Sequence, residues 1–166
     1  MATERPEKPG GRYVELEVGH RFSTSAHVEL MRLVLGRGRT WRFRALGKSM
    51  TPFIRDGDDI TLAPVSAEKD IGLGDVVAYI HRTPDGRQLV VHRVVGRRDS
   101  TYLIKADYAL GHDPSSVRSG DIIGRVVRIE RGEKRIEFGL GPERFVIAVL
   151  SRAGLLLPVL RHASLF

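Results

Sequence analysis

Apolar positions repeat at helical spacing only near the start of the chain. Between Ser23 and Leu35, Val28, Met31 and Leu35 share one face of a helix, Ser23, Thr24 or Ser25 can cap it, and Gly36 ends it. The period then drops to two. Trp41-Arg-Phe-Arg-Ala-Leu46 alternates as a half-buried strand does, and the Asp56-Gly57-Asp58 turn leads into a second strand over Ile60–Ala63. A polar link from Ala67 to Leu73 precedes three more strands, Val76–His81, Gln88–Val95 and Thr101–Lys105. Thr83 to Arg87 and Arg97 to Ser100 form the turns between them. Periodicity fails from Ala106 to Gly120, which predicts a loop, and returns in a closing hairpin, Ile122–Glu130 with Arg135–Phe138. Phe145 to Leu160 is apolar but broken by Ser151, Gly154 and Pro158, which predicts one or two short helices, buried or lying on a surface.

The pattern therefore predicts a mainly β, antiparallel domain with an N-terminal helix and a short helical C-terminal tail. Its expected divisions are a flexible tail over residues 1–22, the β domain over 23–140, and the apolar tail over 141–166. With 166 residues, 42% of them hydrophobic, one core is the economical solution. The segment at 1–22 is polar, rich in Pro and Gly at its start, and lacks the basic-then-apolar layout of a secretory signal. Phe145–Leu160 falls short of the ~20 apolar residues that span a bilayer. Flanked by Arg144 and Arg161, it instead suits peripheral membrane contact. The expectation is a cytoplasmic protein, with peripheral membrane contact, a partner or the protein's own core as the alternatives for this tail.

The formal net charge is +7, and no acidic residue lies between Leu30 and Arg55 or after Glu143. Such runs are most often solvated surface. Aromatics are sparse and no nucleic-acid-binding spacing occurs, so a nucleic-acid partner is not expected. The chain has no cysteine, which excludes disulfides, thiolate metal sites and cysteine nucleophiles. Its six histidines are scattered without ligand spacing, and no phosphate-cradling Gly-rich loop precedes a helix. Neither a metal nor a cofactor is expected.

Two residues carry candidate chemistry. Ser49 follows Gly47 and precedes Pro52, a setting for an exposed hydroxyl with backbone amides turned toward a developing oxyanion. The bland alternative is a serine that completes a turn. His92 stands between Val90-Val91 and Val94-Val95, where an imidazole is either a satisfied core residue or a neutral general base. Asp107 and Asp113, on the following loop, are both candidates to hold its second ring nitrogen, and both also suit turns.

The stretches around these residues resemble a family when taken in order. Gly47-Lys-Ser-Met-Thr-Pro-Phe-Ile-Arg-Asp-Gly-Asp58 resembles the serine box of type I signal peptidases. Gly74-Asp-Val-Val77 and Val91-His-Arg-Val-Val-Gly96 resemble the next two boxes. Lys105-Ala-Asp107, with His112-Asp113 after it, is similar to the aspartate box, and Gly124-Arg-Val126 to the closing strand. The likeness runs from Leu46 to about Val127. It implies the signal-peptidase/SOS-repressor-like fold, with histidine where common bacterial members have lysine, as in the endoplasmic-reticulum and archaeal type.

On that resemblance Ser49 is the nucleophile, His92 the general base, Asp113 the triad aspartate and Asp107 a supporting carboxylate. Gly47, Lys48, Met50 and Pro52 flank the substrate. The implied partner is a polypeptide, docked as an added strand with small side chains near the scissile bond. Three departures stand out. Gly47 replaces the serine that often helps hold the oxyanion, Ala106 and Tyr108-Ala109 alter the aspartate loop, and the family's N-terminal anchor is not visible in residues 1–22. A dedicated leader or precursor peptide is therefore a better expected substrate than general secretory cargo. Self-cleavage, known in the related SOS proteins, lacks its usual Ala-Gly or Cys-Gly pair ahead of the serine. The alternative outside enzymes is a weak or inactive peptidase fold that only binds peptide.

Overall fold

The computed structural model describes residues 25–67, 70–84, 86–109 and 114–163. Helix α1 (Ser25–Gly36) is followed by strands β1 (Trp41–Arg44), β2 (Asp59–Ala63), β3 (Val76–Thr83), β4 (Gly86–Arg98) and β5 (Thr101–Lys105). Then come β6 (Ser115–Arg118), a single 3₁₀ turn at Ser119–Asp121, β7 (Ile122–Arg131), β8 (Lys134–Ile136), and helices α2 (Arg144–Arg152) and α3 (Leu156–His162). The fold is mainly β. All pairings are antiparallel, in the order β1-β2-β7-β3-β4-β5-β6, with β8 on β7.

Alternation decides which side chains meet, because successive residues of a strand point to opposite faces. On one face Val76, Ala78 and Ile80 join Ile60, Leu62, Val126 and Ile129, and α1 covers them with Met31 and Leu35. On the other face Val77, Tyr79, Val94, Tyr102 and Ile104 form a second cluster. Burying each such aliphatic side chain is worth roughly 1.5–3 kcal/mol. Two half-sized cores thus hold one sheet from both sides.

The tail belongs to the same body. Phe53 packs with Ile147, Leu156 and Leu160, while Ala148 sits on Val95 and Leu103. The buried Lys105 donates from Nζ to the carbonyl of Ser151 at 2.7 Å, placing a cation at the negative, C-terminal end of α2. The loop expected from Ala106 to Gly120 is in part a strand: β6 pairs with β5 and buries Val117. Its Ser-Ser-Val-Arg sequence exposes three of four side chains, so it carries little apolar signal. The predicted strand at Arg135–Phe138 is shorter than expected and ends at Ile136.

The acid-free run of 30–55 is partly neutralised from across the sheet. Arg42 reaches Asp59 and Glu130, each at 3.1 Å, and Arg44 approaches Asp59. The register places Arg42 opposite Thr61 and Arg44 opposite Asp59, so strand pairing supplies the acids that local sequence lacks. No described helix is long and apolar enough to cross a membrane.

Candidate functional site

Ser49 lies in the turn between β1 and β2 and is exposed. The turn is fixed from both sides. Gly47 has φ +91°, a conformation that costs L side chains, and its N–H donates to Asp56 Oδ1 at 2.7 Å. On the other side the Thr51 amide donates to the Lys48 carbonyl at 3.1 Å, and the amides of Phe53 and Ile54 to the Met50 carbonyl. The Gly47 amide is thereby spent. Among the described hydrogen bonds, the amides of Ser49 and Met50 donate to nothing.

The neighbours of Ser49 divide by environment. Lys48 is exposed and Pro52 half-buried, so both remain at the surface of the turn. The Met50 side chain is 4% exposed and packs in the core under α1, so it anchors the turn and is not available to line a groove. What Met50 offers a substrate is its backbone.

His92 lies on β4 opposite Val77 and is half-buried. Its Nδ1 stands 3.3 Å from the hydroxyl of Tyr79. Burial, and secondarily the charge of His81, lowers its pKa from the usual 6.5 to about 4, so the imidazole is neutral at ordinary pH. Tyr79 is itself buried, and burial raises its pKa, so the hydroxyl keeps its proton. In the sequence Tyr79 is one position within the strand Val76–His81 and carries no mark of this role. The signal was in the register: with His92 opposite Val77, Tyr79 is the diagonal cross-strand neighbour on the same face, within reach of a long side chain.

Asp107 is wholly buried, and Arg93 grips it. Arg93 Nε donates to Oδ1 at 2.9 Å and Nη2 to Oδ2 at 2.7 Å, while Nη1 donates to the carbonyls of Gly74 and Gly139. Burial pushes the Asp107 carboxyl up, against the pull of the guanidinium charge and its hydrogen bonds. Arg93 is next to His92 in a strand and points to the other face, so Asp107 is held away from the imidazole. It supports the frame and does not orient the His92 ring. Asp113 lies outside the described residues.

The serine turn is tied to the segment after β5. The Tyr108 amide donates to the Ser49 carbonyl at 2.9 Å, its neighbour Asp107 holds Arg93, and Arg93 is bonded in sequence to His92. No direct hydrogen bond joins Ser49 to His92 among the described residues. A shallow cleft of about 190 Å³ lies elsewhere, lined by Asp75, Arg125, Leu140 and Arg144, and its acid is already flanked by both arginines. No cluster of His, Asp and Glu fit to hold a metal occurs among the described residues.

No known family model matches the chain, and no curated protein matches it. The ordered boxes and this geometry carry the functional reading.

Proposed function

We propose that the protein is a signal-peptidase-like serine endopeptidase, with Ser49 as nucleophile and His92 as general base. The observation that carries this reading is the imidazole of His92, kept neutral by burial with Nδ1 3.3 Å from the Tyr79 hydroxyl, in the sheet whose β1–β2 turn exposes Ser49. The Tyr108 N–H holds the serine turn through the Ser49 carbonyl.

In the proposed reaction the Ser49 hydroxyl adds to the scissile carbonyl carbon while His92 Nε2 takes its proton. The tetrahedral oxyanion is met by the amides of Ser49 and Met50. Collapse expels the amine, which receives that proton from His92, and leaves an ester on Ser49. Water, activated by His92, then releases the acid and restores the hydroxyl. The tautomer is set by this role: Nδ1 carries the proton and donates to the Tyr79 oxygen, so that Nε2 keeps its lone pair. Tyr79 thus fills the orienting place that the resemblance assigns to an aspartate. The lack of a direct Ser49–His92 hydrogen bond without substrate fits a site that tightens on binding. It also favours a second reading, a peptidase fold that binds peptide without cleaving it.

A peptide library incubated with wild type, Ser49→Ala and His92→Ala, read by mass spectrometry, distinguishes the two. Cleavage beside small side chains by wild type alone supports the enzyme. Equal binding by all three without new termini supports the module.

A further inference from the structure

Helix α2 is apolar on two opposite faces. Ile147, Ala148 and Ser151 are buried against the sheet and α3, as the docking of the helix requires. The reverse face carries Phe145, Val146 and Val149, exposed by 46%, 61% and 57%. Their spacing puts them on one stripe, because residues three and four apart neighbour each other on a helix. Helix α3 repeats the arrangement, burying Leu156, Leu157 and Leu160 while Leu155, just before it, and Val159 stay exposed. The loop carrying Leu73 abuts the start of α2, since a Cβ on Gly74 would meet the Arg144 backbone. A helix that is apolar all round is expected inside a core or in lipid, and here one side is already in the core.

Charge indicates what covers the other side. Arg152 and Arg161 lie exposed on these helices and no acidic residue follows Glu143, while Arg144 at the start of α2 is half-buried beside Asp75. Glu143 is tied to its own loop, its carboxylate accepting from the amides of Gly139 and Gly141. A second copy of the chain would bring an equally cationic rim against this one. An anionic lipid surface complements both the apolar stripe and its arginines.

We propose that the α2–α3 face docks this domain on anionic membrane surfaces, lying in the interface with Phe145, Val146, Val149, Leu155 and Val159 turned into the acyl boundary. The helices do not cross. Their axes bend by 117°, and their inner faces are committed to Phe53, Val95 and Leu103, so immersion would strip the tail from the sheet. An amphipathic surface with low net hydrophobicity and a basic rim is the form that interfacial segments take. The proposal is independent of the chemistry at Ser49.

Co-sedimentation of the full chain with phosphatidylglycerol-rich and pure phosphatidylcholine vesicles tests it. Wild type is expected to pellet with the anionic vesicles and to release with salt. The pair Val146→Asp and Val149→Asp is expected to weaken binding about tenfold or more, since it removes buried apolar area and adds repulsion. Both positions are exposed, so far-UV circular dichroism and melting should stay unchanged. Hydrogen exchange on wild type supplies a readout free of any variant: the vesicles should protect residues 144–163 over the rest of the chain. Failure of wild type to bind anionic vesicles overturns the proposal. So does binding that the aspartates leave intact, or a wild-type dimer that they dissociate.

Discussion

Arg93 and Asp107 form a buried ion pair, 2.7 Å apart at its shortest and without solvent contact, one residue from His92 and one from Tyr108. It is the joint between the two halves of the candidate site. Breaking a buried pair leaves a desolvated charge, which typically costs 3–5 kcal/mol, about as much as many domains have to spare. Asp107→Asn is therefore expected to destabilise the fold by that order in urea denaturation. Arg93→Met with Asp107→Leu should recover much of the loss, because neither charge then remains buried. Equal instability of the single and double variants would show that the pair's geometry, and not its charge, matters.

The low pKa of His92 gives a pH dependence of known sign. The group titrates near 6.5 when unfolded and at about 4 when folded, so the unfolded chain binds the proton first as pH falls. Stability from this group is present above 6.5 and is lost between 6.5 and about 4. The shift corresponds to about 3 kcal/mol at most. Acid denaturation of wild type should be steeper over that window than that of His92→Gln. Peptidase activity should likewise persist well below pH 6.5, limited by the same protonation.

Tyr79→Phe removes the oxygen beside His92 Nδ1 and keeps the ring. The expected result is a folded protein whose kcat falls by about ten- to a hundredfold with KM little changed, as for loss of a group that orients a base. Steady-state kinetics on a cleaved peptide measures it. A fall confined to KM would place Tyr79 in substrate binding.

Gly74→Ala probes how α2 meets the sheet. Gly74 has φ +87°, and a Cβ there would stand 2.6 Å from the Arg144 carbonyl oxygen, a backbone atom that cannot swing aside. A loss of roughly 1–3 kcal/mol is expected, with faster hydrogen exchange over α2 and α3 than over β3 and β4.

The sheet was legible because its central strands alternate or run apolar between turn residues, as at Val76–His81 and Thr101–Lys105. Strand β6 was not, since a short edge strand with three exposed polar side chains differs little from a loop. The cross-sheet neutralisation of Arg42 and Arg44 depends on register, which no local window contains. At the site, the sequence order of boxes singled out Ser49 and His92. It could not reveal that Asp107 points to Arg93's face, that Met50 turns inward, or that Tyr79 stands at the imidazole. Those are consequences of strand pairing and of which face each residue takes.

Activation of Ser49 decides between enzyme and binding module, and covalent labelling with a fluorophosphonate reads it. The probe esterifies a serine only where a neighbouring base accepts its proton. Intact mass and peptide mapping should find one adduct, on Ser49, in wild type, and none in Ser49→Ala or His92→Ala when both are folded. An unlabelled wild type, or labelling of Ser49 that His92→Ala leaves unchanged, would mean that His92 does not activate Ser49.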